Sequence, residues 1–227
     1  MRRYLVLVFM LAALTPACAN EAYLEGFEAA NPHLRVAVSY LRTGNSDLAA
    51  IEIESFQAKW APLRQKLQPG PLATMVEGVG ASAAKALEQV DAGKPDEARK
   101  LLLDARQRIH DTHAAAGLKP FADCIWSAIK VGYPLWGYRE PPPNLGDAVT
   151  AKKIVDVNNA YLAALRGCRK RAPKDVAADP EYTRLMDNAD TSLSAIPATV
   201  KAKDGGQLYR YLIELRSIDR LLYFRFG

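Results

Sequence analysis

The stretch Gln207–Phe226, QLYRYLIELRSIDRLLYFRF, decides the fold class of this chain. Its apolar residues recur at intervals of three and four, which places them on one face of an α-helix. Most other segments repeat this period, are rich in Ala, Leu, Glu, Lys and Arg, and lack the alternation typical of strands. The sequence therefore predicts an all-α helical bundle. The apolar face of the last helix comprises Leu208, Tyr211, Leu212, Leu215, Ile218, Leu222 and Phe226.

Turn residues divide the chain into eight predicted helices. Glycine, proline and polar clusters mark the breaks between them. Ser46 is the expected N-cap of the second helix, and Asp179 is that of the seventh, with Pro180 at its first helical position. The predicted helices cover residues 24–42, 46–67, 72–91, 95–116, 121–138, 147–171, 180 onward and 207–226.

The two halves of the chain resemble each other. A shift of 110 residues places Val90 on Val200 and Arg106 on Arg216, and several turns also coincide. These matches favour an internal duplication that yields two four-helix units, residues 20–117 and 118–227, packed as one or two domains. The alternative is that any two helical hairpins share turns and leucines.

The amino terminus has the pattern of a secretion signal. Two arginines precede the apolar run Tyr4–Leu14, which is too short to span a bilayer. Ala17 and Ala19 fit a cleavage site after Ala19, so residues 1–19 are predicted to be a signal peptide and the mature chain to be periplasmic. Lipoprotein processing at Cys18 is the less favoured alternative, because Thr15 stands where such sites usually carry leucine. No transmembrane segment is predicted after cleavage.

Two cysteines remain if Cys18 is removed with the signal. In an oxidising compartment Cys124 and Cys168 are expected to form a disulfide. The closed loop of roughly 45 residues corresponds to about 4 kcal/mol of stabilisation in the chain-entropy model. Two buried free thiols are the alternative.

Charge and motifs exclude several function classes. Loss of Arg2 and Arg3 lowers the formal net charge from +5 to +3, a mild excess that indicates a solvated surface rather than a nucleic-acid site. The sequence has no glycine-rich phosphate loop, no G-x-S-x-G and no H-E-x-x-H motif. It therefore predicts no nucleic-acid partner, no cofactor and no catalytic residue.

His110 and His113 are the candidate metal ligands. They lie three residues apart on the predicted fourth helix, a spacing that puts both rings on one face. A complete site needs a third ligand, and the only other histidine is His33. The alternative is two solvated histidines near a helix carboxyl end, where a protonated imidazole interacts favourably with the helix dipole.

Two apolar surfaces could contact a ligand or a partner. The predicted helix 121–138 carries an apolar stripe. The favoured interpretation is that the stripe belongs to the hydrophobic core, and the alternative is that it lines a pocket for an apolar ligand. The end of the last helix is apolar on more than one side, so Leu221, Phe224 and Phe226 are the candidate partner surface unless the loop 139–146 covers them. The stripe of helix 121–138 comprises Phe121, Ile125, Trp126, Ile129, Tyr133 and Trp136.

An exported, Ala-rich four-helix unit that ends in an Arg- and Leu-rich helix resembles the periplasmic haem bundles such as cytochrome c-prime. The family attaches haem through C-x-x-C-H on its last helix. The corresponding segments here, Arg106–His113 and Arg216–Leu222, contain no cysteine, so no haem role transfers. The segments Leu41–Glu52 and Glu214–Leu222 are also similar to those of uncharacterised exported helical proteins of bacteria.

The sequence thus favours an exported, non-enzymatic helical protein of the bacterial envelope that binds or interacts. The expected partner is an envelope protein or a small apolar ligand. A carrier of haem or metal is the alternative, and an enzyme comes third.

Overall fold

The computed structural model describes the backbone of residues 16–227 and the side chains from Asn20 onward. Residues 1–15 of the predicted signal peptide, residues 1–19, and the side chain of Cys18 therefore lie outside what the structure describes. Within the described range the chain forms nine α-helices and one 3₁₀ helix and contains no strand. The prediction of an all-α helical bundle is confirmed. None of the described helices is both long and apolar enough to cross a membrane.

The helices follow one another through short connections, except between α5 and α6. Their bounds are α1 Pro16–Arg42, α2 Ser46–Trp60, the 3₁₀ helix Ala61–Lys66, α3 Pro71–Asp91, α4 Pro95–Ala115, α5 Phe121–Trp136, α6 Ala148–Arg171, α7 Lys174–Ala178, α8 Pro180–Lys201 and α9 Gly205–Phe226.

Proline and aspartate define several helix starts. Pro95 and Pro180 occupy first helical positions, where a missing N–H costs no intrahelical bond. The side chains of Asp147, Asp179 and Asp204 accept hydrogen bonds from backbone N–H groups two or three residues ahead. Each carboxylate thus satisfies donors that the helix leaves free and favours the positive end of its dipole. The predicted N-cap role of Asp179 is confirmed.

Several boundaries differ from the predicted ones, and α1 begins at Pro16 rather than at residue 24. Asn45, not Ser46, stands at the N-cap position of α2, because the chain leaves the turn at Gly44 with a φ of 79° and enters the helix at Ser46. Helix α2 ends at Trp60 rather than at residue 67, because Pro62 lacks the N–H that an α-helix would use there. The short helix Lys174–Ala178 was not predicted.

Each half of the chain forms a ring of four helices around its own apolar core. In the first half α1 packs on α2, α2 on α3, α3 on α4, and α4 back on α1. In the second half the same order holds for α5, α6, α8 and α9. The two apolar clusters divide between residues 23–109 and 125–226. The internal duplication itself stays a prediction.

The halves meet where α1 and α4 face α5 and α9. The Asn31 side chain on α1 donates a hydrogen bond to the carbonyl oxygen of Gly227 at 2.8 Å. The ring of Tyr223 on α9 lies 5.4 Å from that of Trp126 on α5. Polar and aromatic groups therefore concentrate at this junction, where the candidate sites lie.

The predicted cysteine pair is confirmed by its geometry. Cys124 on α5 and Cys168 on α6 form a disulfide whose Cα atoms are 5.6 Å apart. The bond ties two neighbouring helices of the second half across 44 residues of chain.

Candidate functional site

A cavity of about 380 Å³ opens at the junction of the two halves. Four helices line it, so neither half could form it alone. Its walls combine guanidinium groups with aromatic rings, and its floor holds one carboxyl group. The lining residues are Val38, Ser39 and Arg42 from α1, Arg99 and Leu103 from α4, Trp126, Ile129, Tyr133 and Trp136 from α5, and Arg216, Asp219, Arg220 and Tyr223 from α9.

Four arginines of this cavity have no carboxylate in direct contact in the part of the chain that the structure describes. Within the described residues, no carboxylate lies within 4.0 Å of Arg42, Arg99, Arg216 or Arg220. Some arginines elsewhere are paired, as Arg166 is with Asp190 at 2.6 Å, whereas within the described residues others, such as Arg108 and Arg210, are not. The cavity therefore concentrates positive charge that no carboxylate in direct contact neutralises, although the charge of Glu140 acts to raise the pKa of Arg216.

The arginines on α9 disfavour their own charged state. Burial lowers the pKa of Arg216, and the positive charges of Arg220 and Arg139 lower it further. Burial likewise lowers the pKa of Arg220, with Arg42, Arg139 and Arg99 adding to the effect. Since guanidinium stays protonated at physiological pH, these shifts reflect mainly the cost of burying each charge, with a smaller contribution from strain between like charges. An anion in the cavity would relieve that strain.

The aromatic wall comes from one face of α5. Trp126, Ile129, Tyr133 and Trp136 follow intervals of three and four residues, so a single helical stripe presents all of them to the cavity. Ile125 belongs to the predicted stripe, but it does not line the cavity because it is fully buried in the core of the second half. The aromatic faces favour a ligand with a planar apolar body.

The floor of the cavity is a carboxyl group that stays neutral. Asp219 is only 5% exposed and accepts a hydrogen bond from the hydroxyl of Tyr161, while its Oδ2 has no partner. Burial raises the pKa of Asp219 to about 8, although the bond from Tyr161 opposes the shift. At neutral pH Asp219 therefore does not cancel the charge of the arginines.

Tyr223 presents a second unpartnered polar group beside Asp219. Its hydroxyl is buried without a hydrogen-bond partner, and burial raises its pKa to about 12. Buried polar atoms usually find a partner, so an unpaired hydroxyl on a cavity wall is available to a ligand.

A separate buried network joins α1, α4 and α5. The Tyr23 hydroxyl lies 2.6 Å from Nε2 of His113, and Nδ1 of His113 lies 2.7 Å from Oδ2 of Asp123. Nη2 of Arg106 lies 2.8 Å from the other carboxylate oxygen, and its guanidinium stacks 5.3 Å from the Trp126 ring. Three of these polar side chains come from the first half and one from the second, so the network fastens the halves together.

Asp123 is the negative centre of this network. Burial acts to raise its pKa, but the hydrogen bond from His113 and the charge of Arg106 outweigh burial and lower it. Burial raises the pKa of Tyr23 far above its usual range, which keeps the phenol protonated. Because a carboxylate only accepts, Nδ1 of His113 carries the proton and Nε2 accepts from Tyr23.

The predicted metal site at His110 and His113 stays a prediction, and the two rings have different surroundings. His113 is fully buried and both of its ring nitrogens have hydrogen-bond partners, so it is not the solvated histidine of the alternative interpretation. His110 bonds instead to Ser127 and Asp111. The described residues contain no group of three or more His, Cys, Asp or Glu that could hold a metal ion. The spacing of His110 and His113 predicts that they share a helix face. It does not show which side chains each imidazole ring contacts.

The predicted partner surface stays a prediction, and its three residues differ in exposure. Phe226 is 9% exposed, and its ring packs 5.2 Å from that of Tyr182, so it belongs to the core of the second half. Leu221 is 40% exposed and Phe224 is half-buried. A partner at these two residues stays a prediction.

Sequence reasoning missed the cationic part of the cavity. Arg216, Arg220 and Tyr223 follow intervals of four and three on α9, which is a detectable signal for a second face beside the apolar one. Nothing local indicates that Arg42 and Arg99 join them. No protein-family model, curated protein or solved structure matches the chain.

Proposed function

We propose that this chain is an exported binding protein of the bacterial envelope whose ligand is a small organic anion with an aromatic or planar apolar body. The observation that carries the proposal is the set of four unpaired arginines around an aromatic-walled cavity. The guanidinium groups supply charge-assisted hydrogen bonds to a carboxylate, sulfonate or phosphate. The rings of α5 cover the apolar body of the ligand.

Export is supported by the amino-terminal pattern and by the disulfide. Two arginines, an apolar run and the cleavage pattern around Cys18 are typical of secretion, and disulfides persist in oxidising compartments. Intact mass measurement of the protein from a periplasmic fraction tests this part. A chain that begins at Asn20 supports export. An uncut chain recovered from the cytoplasm contradicts it, and a lipid-modified Cys18 moves the protein to the membrane surface.

The binding test uses 8-anilinonaphthalene-1-sulfonate, a fluorescent aromatic anion, as the probe. We expect saturable binding that weakens as ionic strength rises, because salt screens the arginines. Replacement of both Arg216 and Arg220 by glutamine should weaken binding at least about tenfold, since a hydrogen bond to a charged group contributes about 1.5–3 kcal/mol. Arg210→Gln is the matched control, because Arg210 is exposed on the same helix and lies outside the cavity lining.

A neutral aromatic probe separates the contribution of charge to binding from that of hydrophobicity. N-phenyl-1-naphthylamine has a similar ring system without the sulfonate, so it should bind more weakly and respond little to the double variant. Equal binding of both probes, or equal losses in the double variant and in Arg210→Gln, would contradict an anion site. The double variant should also unfold at no lower urea concentration, because it removes unfavourable like-charge contacts rather than support.

A haem carrier fits the cavity less well. The lining residues include no histidine, methionine or cysteine, which are common haem ligands. A tyrosinate ligand requires a deprotonated phenol, whereas burial raises the pKa of Tyr133 and that of Tyr223. An absorption spectrum of the purified protein with a Soret band would restore this alternative.

A further inference from the structure

We propose that Ser127, His110 and Asp111 form a second, hydrolytic site that transfers small acyl groups from carboxylic esters to water. This site lies outside the arginine cavity and does not depend on the proposed binding function. Oγ of Ser127 is 2.7 Å from Nε2 of His110, and Nδ1 of the same ring is 3.1 Å from Oδ1 of Asp111. A hydroxyl, an imidazole and a carboxylate thus stand in the order that activates a serine.

The hydrogen bonds fix the tautomer of His110. The carboxylate of Asp111 only accepts, so the proton of the neutral ring lies on Nδ1. Nε2 then has a free lone pair and accepts from the Ser127 hydroxyl. This is the protonation state in which the imidazole can remove the serine proton as the hydroxyl attacks.

A chain of hydrogen bonds holds the carboxylate in place. Neighbouring residues of a helix do not usually face each other, so Asp111 needs support to meet His110. Nε2 of Gln107 donates to Oδ1 of Asp111 at 2.7 Å, and Nε1 of Trp126 donates to Oε1 of Gln107 at 3.2 Å. Asp111 is therefore a positioning residue.

A substrate can reach the pair. Side-chain exposure of His110 is 24%, and both His110 and Ser127 line a cavity of about 300 Å³ that is open to solvent. Lys119 and Arg171 line the same cavity and supply positive charge for an oxyanion. The guanidinium of Arg171 is held by the carbonyl oxygen of Lys119 at 3.2 Å.

The carboxylate that lines this cavity is engaged by other residues and does not oppose an oxyanion. Asp123 also lines it, but its negative charge is directed to Arg106 and His113, as described above. The volume suits a short acyl group rather than a peptide or a long lipid chain. The disulfide at Cys124 fixes α6 beside α5, which keeps Arg171 at the cavity edge.

The reaction balances with water as the only co-reactant. Oγ of Ser127 bonds to the carbonyl carbon while its proton moves to Nε2 of His110. The ester C–O bond then breaks, and the alcohol leaves with that proton. Water attacks the acyl-serine and gives a proton to the same nitrogen. The carboxylic acid departs as the proton returns to Ser127.

The test measures hydrolysis of p-nitrophenyl acetate by the full mature chain, together with labelling by a fluorophosphonate probe. We expect Ser127→Ala and His110→Gln each to lower kcat/KM by about 10²-fold or more, and Ser127→Ala to abolish the label. Ser82→Ala is the control, because Ser82 bonds only to the carbonyl of Gly78 in its own helix. Asp111→Asn should lower kcat more than it changes KM and should shift the pH profile of kcat.

Two outcomes of these measurements would overturn the proposal of a hydrolytic site. Hydrolysis that survives in Ser127→Ala but is lost in His110→Gln would show a free imidazole acting alone and would overturn the proposal. Equal rates in the native protein and in Ser127→Ala would overturn it as well. Far-ultraviolet circular dichroism on every variant separates loss of the site from loss of the fold.

Discussion

Replacement of Asp219 by asparagine should change the pH dependence of stability more than any other single substitution in the arginine cavity. The native carboxyl is buried, bonded to Tyr161 on one oxygen and unpartnered on the other. Asparagine has the same shape, and its amide oxygen can accept the same hydrogen bond. The substitution therefore removes the titration and keeps the packing.

The magnitude follows from the pKa difference. Burial raises the pKa of Asp219 from 3.8 to about 8, so the folded state binds its proton more tightly than the unfolded state does. Stability is then highest below about pH 4 and is lost progressively as the pH rises toward 8. At 1.36 kcal/mol per pKa unit, the full effect above pH 8 is on the order of 5 kcal/mol. Asp219→Asn should lack this loss.

The assay compares urea unfolding of the native protein and of Asp219→Asn across a series of pH values. Other groups that titrate contribute equally to both proteins and cancel in the difference. We expect nearly equal stability at about pH 4.5 and a gap in favour of the variant that widens up to about pH 8 and then stays constant. Asp156→Asn, which alters an exposed carboxylate paired with Lys152, should show no such widening.

Two results would refute this reasoning. A difference between the two proteins that does not vary with pH would mean that Asp219 titrates in the ordinary range. A variant less stable than the native protein at high pH would mean that the ionised carboxylate is favourable, through the nearby arginines. The second result would also weaken the case for an uncompensated positive cavity.

Three further predictions concern contacts between helices, namely an ion pair, the disulfide and a close packing contact. Asp123→Ala should lower the free energy of unfolding in urea by about 3–5 kcal/mol, because Arg106 would stay buried without its counter-charge. Because the pKa of Asp123 is held below its ordinary value, acid should produce the same loss in the native protein only below about pH 4. Reduction of the disulfide between α5 and α6 should cost about 4 kcal/mol, measured as a lower urea midpoint. Gly132→Ala should lower the melting temperature through a loss of about 1–3 kcal/mol, since a Cβ atom there would stand 2.7 Å from the Tyr161 ring.

The helices were predictable because their signals are local. An apolar residue every three or four positions, a proline at a first turn and a glycine at an end each act within one or two turns of chain. The disulfide was predictable from the expected oxidising compartment rather than from geometry, because only two cysteines remain if Cys18 is removed with the predicted signal peptide. The boundary at Trp60 also has a local cause, because Pro62 lacks the N–H that would continue the α-helix.

The sites were not predictable because their members are distant in sequence. Arg42 and Arg220 are 178 residues apart, and they share a cavity only because α1 and α9 pack across the junction. Ser127 belongs to no sequence motif, because the imidazole that it contacts, that of His110, lies on another helix. Helix periodicity shows which side a residue occupies, but the identity of the neighbouring helix depends on how two whole bundles dock.

The histidine pair shows what that docking adds. His110 and His113 are three residues apart on one helix, and in both rings a hydroxyl lies on Nε2 and a carboxylate on Nδ1. The buried ring has no access to a substrate, and its carboxylate also neutralises a guanidinium, so its arrangement fastens the two halves. The exposed ring opens on a cavity and has no such cation on its carboxylate. Identical hydrogen-bond chemistry therefore supports a structural role in one ring and a reactive role in the other, and solvent access is the difference.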